Sequence, residues 1–377
     1  MAVYKLFPEK DATLYSEFPV LNTGLDEIIE ASTFYNSVLP QVSRYVIKFS
    51  QTEIEDVIDN EIGTKNFQAN LRNYIANITG LNAETTLEIY PVSGSWNMGT
   101  GRYANNPQTE NGVCWGFRLS SGSDPWDATS FQTYATASYV DGNEGGGNWY
   151  TGSNLGLNVT GSQILNYAND KDLNTDVTNT VLTWYSSSNS LGGFPNDGFL
   201  VKQSDEDEFI ADRDYVTTVK YFSIDTHTIY PPQLEFKWDD FIYNTGSSSN
   251  TVIDTSRMVA SLDNNKGFYR RDSIEKIRIN SRPQYPQRTF QTASIYTTNF
   301  YLPTASFYAV KDLDTNEFVI DFDTTYTKIS ADSESSYFTL YMNGLEPERY
   351  YQILIKTNIG GETLVLDDHY YFKVING

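Results

Sequence analysis

At 377 residues the chain has room for two or three domains and a sizeable core. Its 26 Lys and Arg stand against 48 Asp and Glu, a formal net charge of −22. That balance excludes duplex nucleic acid as the main partner, because such binding needs basic groups to displace phosphate counterions. Phe, Tyr and Trp make up 15% of the residues, too many for a disordered acidic tail, and the lone Cys114 excludes an intrachain disulfide.

In chain order, the N-terminus MAVYKLFPEKDATLYSE carries charge from Lys5 and has no apolar run of signal-peptide length. No window approaches the roughly 20 apolar residues of a membrane-spanning helix. The expectation is folding in a reducing cytoplasm with no membrane insertion. Short β-branched or alternating runs bounded by Gly, Asn, Asp, Ser and Pro then predict strands. They fall at Ala12–Tyr15, Leu25–Ala31, Arg44–Phe49, Thr85–Tyr90, Val113–Arg118, Phe131–Tyr139, Thr180–Tyr185, Gly198–Lys202, Thr217–Phe222 and Gln233–Trp238.

One stretch breaks this texture. Ser50 and Glu53 have the spacing of a capping box, and Ile54, Val57 and Ile58 share a helical face. After Gly63, Phe67, Leu71, Tyr74, Ile75 and Ile78 continue at helical spacing. Two short helices are predicted, near 51–60 and 65–78, lying on the sandwich because helices of that length are marginal alone. Ser93–Leu157 then carries four of the six Trp and a glycine-rich run at 142–148, which predicts long ordered loops pinned by large side chains.

Tyr243–Asn250, YNTGSSSN, has linker composition. Beyond it lie strand candidates Glu317–Phe322, Phe338–Met342, Tyr350–Thr357 and Tyr370–Val374. Residues 243–377 hold 13 Lys and Arg against 16 Asp and Glu, a net of −3, which leaves −19 for residues 1–242. Lys266–Arg288 concentrates seven basic residues with two acids. An acidic domain joined to a locally basic segment can bind head to tail to its own copies. A solvated connector with ordinary surface charge is the plain alternative.

Motifs of catalysis are sparse. His227 and His369 lie in polar turns without zinc spacing, and Cys114 sits in strand texture without a basic neighbour to form thiolate. There is no GxSxG elbow and no P-loop. Ser204–Asp214 is the densest acidic run and reads as a solvated loop. Asp312, Asp314 and Asn316 open like a calcium loop, but Glu317 and Asp323 replace the required Gly and Glu, so a hairpin turn is the better reading. No cofactor and no metal are expected. Glycoside hydrolysis needs two acids at a set separation, which no spacing here reveals.

The ordered phrases DATLYSE, LNTGLDEIIEAS, SRYVIKFS, TLEIYPV, SWNMGTG, GVCWGF, NDGFLVKQSDEDE and PPQLEFKW resemble the DNRLRE-type β-sandwich family over about residues 10–240. That family brings no catalytic residues to transfer. GLEPERYYQILIKT resembles the Tyr-bearing strand of fibronectin type III and other immunoglobulin-like sandwiches. On KYFSIDTHTIYPPQLEFKWDD, INSRPQYPQRTFQTAS and LEPERYYQILIKT, the whole chain is similar to structural proteins of marine T4-like myoviruses that infect cyanobacteria. The resemblance implies a non-enzymatic virion component of the neck, tail or baseplate, assembled in the host cytoplasm among other virion proteins.

The expected fold is therefore all-β. A jelly-roll-like sandwich at 1–242 carries a helical insert at about 50–78. An extended connector follows at 243–300, then an immunoglobulin/fibronectin-III-like β-sandwich at 301–377. The expected activity is assembly by protein–protein contact as a homo-oligomer, without nucleic acid. The alternatives are a carbohydrate-binding adhesin contacting host-surface glycan and a polysaccharide hydrolase. The interface is expected at Arg270, Arg271, Arg278, Arg282 and Arg288, around an apolar centre of Tyr285 and Phe290, because RPQYP holds the segment extended and Arg suits bidentate carboxylate contact.

Overall fold

The computed structural model describes residues 2–36, 39–81, 84–120, 123–126, 145–151, 156–190, 192–208, 217–246, 258–285 and 299–376. Strands dominate and helices are short, so the chain is all-β. The first elements are β1 (Ala2–Leu6), β2 (Pro8–Tyr15), β3 (Ile28–Asn36), β4 (Leu39–Phe49), α1 (Gln51–Asp56), β5 (Phe67–Asn73), β6 (Ile75–Thr79) and β7 (Glu84–Pro91). There follow β8 (Phe117–Ser120), β9 (Ser123–Pro125), β10 (Gly161–Asn166), β11 (Leu173–Asp176), α2 (Thr178–Ser188), β12 (Phe199–Gln203), α3 (Asp205–Glu208), β13 (Thr218–Phe222) and β14 (Gln233–Trp238). Among the described residues no helix is long and apolar enough to cross a membrane.

The chain divides into two compact units. The larger holds Leu6–Glu61 and Gln68–Glu235, and the smaller holds Met1–Lys5, Ile62–Phe67 and Phe236–Gly377. The division falls inside β14, a few residues before the expected boundary at 242, and it assigns the first five residues to the smaller unit.

The larger unit is built on an antiparallel sheet with strand order β10-β7-β12-β4-β3-β13-β6, and β2 also pairs with β4. β4 explains why this sheet needs cover on both sides. Val42, Arg44 and Val46 point one way and Tyr45, Ile47 and Phe49 the other, and all six are buried. One face lies under the loop layer, where Trp96, Trp115, Trp126 and Trp149 pack with Leu14 and Leu200. The Trp96 indole N–H donates to the Asp197 carbonyl at 2.8 Å and that of Trp126 to the Cys114 carbonyl at 3.0 Å, so both rings are fixed in orientation. The glycines of the loop are steric necessities. Gly146 has φ +78°, and a Cβ there would lie 2.7 Å from the Trp115 ring and 3.0 Å from the Arg44 guanidinium. Across the sheet, Tyr45 meets Tyr221 and Phe199 meets both Phe49 and Trp184 of α2.

Several predicted elements differ. The stretch 65–78 is not a helix; β5 and β6 occupy it. Ala69, Leu71 and Asn73 alternate inward, and pairing of β5 with β11 and of β6 with β13 satisfies the backbone that a helix would have satisfied internally. The first helix does form, with Ile54, Val57 and Ile58 buried, but α1 passes into π-helical turns over Val57–Ile62, and Ser50 makes no side-chain cap. Thr180–Tyr185 is helical, within α2. Val177, Val181 and Trp184 recur at helical spacing and are buried, so packing overrides the β-branched composition. Leu25–Ala31 is regular only from Ile28, and of Val113–Arg118 only Phe117 and Arg118 are in a strand. The predicted strand 131–139 lies outside the described residues.

The smaller unit contains β15 (Met258–Leu262), β16 (Phe268–Arg270), β17 (Ile274–Pro283), β18 (Ser306–Asp312), β19 (Phe318–Ile320), β20 (Ser330–Ala331), β21 (Ser336–Tyr341), β22 (Tyr350–Ile359) and β23 (Glu362–Ile375). They form a sandwich of two sheets, β15-β17-β21-β20 and β16-β23-β22-β18-β19. Ile277, Ile279, Phe338 and Leu340 of the first sheet join Tyr308, Val310, Ile353, Ile355, Phe372 and Val374 of the second in one core. The rings of Tyr308 and Phe338 stack at 4.1 Å. Val3 belongs to this core, and the Asn343 amide donates to the Lys5 carbonyl at 2.6 Å. The expected connector at 243–300 is thus corrected: its described part supplies three strands of the sandwich. Its alternation is legible in Met258/Ala260 and Ile277/Ile279, but basic residues at the outward positions disguise it as a solvated segment.

Candidate interaction surfaces

The expected basic interface maps onto β16 and β17. The outward positions of β17 are Ile274, Lys276, Arg278, Asn280 and Arg282, while Ile277, Ile279 and Ser281 face in. This strand geometry, rather than an extended proline segment, aims the basic side chains outward. Arg278 is not free for a partner. Its Nη1 and Nη2 each reach an Asp332 oxygen at 3.0 Å, Nη2 also lies 2.7 Å from Glu334, and Lys276 adds a 2.8 Å contact to Asp332. Burial opposes ionisation of Asp332, but hydrogen bonds from Arg278, Lys276 and the backbone N–H groups of Glu334 and Ser335 outweigh it and hold the carboxyl well below the usual range. Lys266 likewise meets Glu275 at 3.1 Å. Arg270 and Arg282 are exposed, Arg271 is half-buried, and Arg282 donates to the carbonyls of Pro283 and Gln284. Tyr285 is 74% exposed. Arg288 and Phe290 lie outside the described residues.

Among the described residues the densest ionic cluster centres on buried groups of the larger unit. Glu208, expected in a solvated acidic loop, has no exposed surface. Arg44 forks onto it, Nε to Oε1 at 2.9 Å and Nη2 to Oε2 at 2.6 Å, and Nη1 donates to the Gly146 carbonyl at 3.0 Å. The guanidinium lies 5.2 Å from the Trp115 ring and 5.5 Å from the Trp149 ring. Lys202, also fully buried, contacts Asp205 at 2.6 Å and both Glu208 and Glu88 at 3.6 Å. Asp207 accepts from the Thr86 N–H and the Ser204 hydroxyl. Two cations and three carboxylates therefore tie β4, β7, β12 and α3 together. An acidic run gives no sign that its basic partners sit at positions 44 and 202.

Other titratable candidates fall into structural roles. Cys114 is buried, and burial pushes its thiol up, away from nucleophilic thiolate. The side chains of His227 and His369 are 86% and 70% exposed. Asp312 closes the β18–β19 hairpin by accepting from the N–H groups of Asp314 and Thr315, and Arg349 grips both its oxygens. Among the described residues no group of three or more His, Cys, Asp or Glu is placed to hold a metal ion.

Two further surfaces escaped sequence reasoning. An open groove of about 720 Å³ is lined by Gln163, Asn169, Asp170, Asp172, Asn174 and Asp176, and Tyr167 on the adjoining turn is 74% exposed. The second is the outer face of the sheet β16-β23-β22-β18-β19, which places Lys311 and Lys356 among aromatic rings. Those lysines are 45 residues apart and form no charge run; only strand register brings them to one face.

No family model and no curated protein matches the chain. Among solved structures, a DUF4785-family protein of Legionella pneumophila is similar at 9% identity and a TM-score of 0.19. The alignment covers 100% of this chain and 66% of that one, and at that score it carries no argument about fold or activity.

Proposed function

We propose that the chain is a non-enzymatic structural component of a tailed-phage virion, in the neck, tail or baseplate, that works through protein–protein contact. The observation that carries this reading is the use made of its ionisable groups. The richest cluster among the described residues has Arg44, Lys202 and Glu208 sealed between strands and indole rings as a strut, with the part-exposed Asp205 and Glu88 at its rim. Arg349–Asp312 and Arg278–Asp332 are likewise paired in the smaller unit, though nearer its surface. Groups spent in this way stiffen a scaffold and leave little for acid–base or nucleophilic work. The virion setting rests on the phage-like phrases of the sequence.

The smaller unit is, on this reading, an immunoglobulin-like module of the kind used for contact. Its two sheet orders and the parallel edge pair β16–β23 support that reading. So does the Tyr351 hydroxyl at the start of β22, which donates 3.0 Å to the Glu346 carbonyl as the tyrosine corner of such folds does. Gold-labelled antibody against the chain should decorate purified particles at one fixed level, and the protein should co-sediment with them. Recovery only in the soluble lysate would refute the virion assignment.

The groove beside Tyr167 favours a second reading, glycan binding. Its amide and carboxylate lining suits sugar hydroxyls and the exposed ring offers a stacking face. Binding to a glycan array that Tyr167→Ala abolishes would establish it; an array without signal would remove it.

A further inference from the structure

The outer face of the sheet β16-β23-β22-β18-β19 is neither a bare apolar surface nor an ordinary polar one. Tyr308, Val310, Tyr351, Ile353 and Ile355 point into the core, so the alternate residues of β18 and β22 point out. Register sets Phe307 opposite Lys356, and sets Lys311 opposite both Gln352 and Phe318. The Lys356 ammonium lies 4.6 Å from the Phe322 ring and 5.7 Å from Phe307, and Lys311 lies 5.8 Å from Phe318. Phe318 and Phe322 meet at 6.0 Å, and Phe318 is 40% exposed. The result is one patch of three phenylalanines with two ammonium groups held over them.

Those two charges are unmatched. Among the described residues, neither Lys311 nor Lys356 has a carboxylate within 4.0 Å, whereas Lys276, Arg278, Arg349 and Lys373 all do. The opposite condition holds in the larger unit, which contains 30 Asp and Glu against 10 Lys and Arg; the smaller contains 18 against 16. α3 is all acid, but Lys202 and Arg44 match its Asp205 and Glu208; the unmatched acidic stretch is α1 with the π-helical turns that follow. Glu53, Glu55, Asp56, Asp59 and Glu61 fall within eleven residues that contain no Lys or Arg. Glu53, Asp56 and Asp59 are exposed, and none of the five has a cation within 4.0 Å among the described residues. Ile54, Val57 and Ile58 are buried beneath them, so the acids stand on a fixed base.

We infer that the Phe/Lys face of the smaller unit docks a second copy of this chain by the acidic α1 region of its larger unit. The inference rests on the assembly reading and names its surface and partner. Charge complementarity selects the occupant: unneutralised ammonium groups on one surface meet unneutralised carboxylates on another of the same chain. The phenylalanines supply the apolar centre that ion pairs alone lack, and the lysines fix register. Because the two surfaces differ, one such contact is head to tail; repeated it builds a ring or an open chain, and exchanged reciprocally it closes a pair. A lysine-aromatic sheet face also suits single-stranded nucleic acid, which the net charge of −22 opposes.

The test is sedimentation of the full chain at low and at high salt. Wild type should associate with rising concentration at low salt and return to a single chain at high salt. Lys311→Glu with Lys356→Glu should weaken association at least ~tenfold, and so should Glu53→Lys with Asp56→Lys. All four together should restore it, and circular dichroism should show each variant folded. Unchanged association of the Lys311/Lys356 variant overturns the docking face and leaves the assembly reading standing. A wild-type chain that stays single at low salt and high concentration also overturns it, while particle labelling decides the virion reading separately. Tight binding of a fluorescent single-stranded oligonucleotide, lost in the Lys311/Lys356 variant, would replace the second copy as occupant.

Discussion

Asp11 sits on β2 with 1% of its surface exposed and accepts a 2.7 Å hydrogen bond from the Ile224 N–H. Burial, reinforced by nearby Asp225 and Asp26, raises its carboxyl to about 8, against the pull of that N–H. A carboxyl whose folded value lies above its ordinary 3.8 contributes stability that is complete below that value and lost as pH rises toward about 8. Asp11→Asn keeps an acceptor for Ile224 and cannot ionise. Its thermal midpoint relative to wild type should therefore climb steadily across that window; a difference independent of pH would refute the assignment. Glu208→Gln leaves the buried Arg44 guanidinium without a carboxylate, while Lys202 keeps Asp205, and this should cost about 3–5 kcal/mol in urea unfolding followed by indole fluorescence. Removing Lys266 from its exposed pair with Glu275 should cost no more than about 1 kcal/mol. At this scale the sequence is legible where a residue has one common fate, as with Cys114 in the core. It is silent where fate depends on a distant partner, as for Glu208 and Arg278.

Strands with a solvent side or β-branched density, such as β2, β4, β7, β12 and β13, are readable because their period is local. The failures share one cause. Phe67, Leu71, Tyr74 and Ile78 satisfy a helical period while Ala69, Leu71 and Asn73 satisfy a strand period, and the pairing with β11 that decides between them involves residues about 100 positions away. In α2 the reverse happens: Thr and Tyr speak for a strand, yet Val181 and Trp184 are buried as a helical pair and Thr183 bonds back to the Asn179 carbonyl at 2.7 Å. The turn before β22 was recognisable because its device is short-range. The Tyr351 hydroxyl spans five residues to Glu346, so Tyr351→Phe should lower the stability of the smaller unit by about 1 kcal/mol with the fold unchanged. A loss below the error of chemical denaturation would mean that the corner closes without that bond.

Over the whole molecule, the acidic and near-neutral halves were legible from charge counting, but the membership of residues 1–5 was not, since nothing in AVYK names a partner more than 250 residues away. Val3 lies in the core of the smaller unit, and the Lys5 ammonium donates to the Val319 carbonyl at 3.1 Å. Val3→Asp would bury an unmatched carboxylate there, at a cost on the order of several kcal/mol. Amide exchange in β18 and β22 should quicken while exchange in β4 and β12 holds; equal protection everywhere would show that β1 is dispensable. This arrangement also has a temporal side. A ribosome adding ~5–20 residues per second leaves the interval between Lys5 and Asn343 at roughly 20–70 s. For most of that wait the first strand has emerged while its pairing partner β14 and the core of the smaller unit do not yet exist. The larger unit can close while the chain is still growing, whereas the smaller one cannot close until β23 (Glu362–Ile375) has emerged. Its lysine-bearing outer face therefore comes into being only once β23 has been made, so nascent copies on neighbouring ribosomes cannot link through that face any earlier.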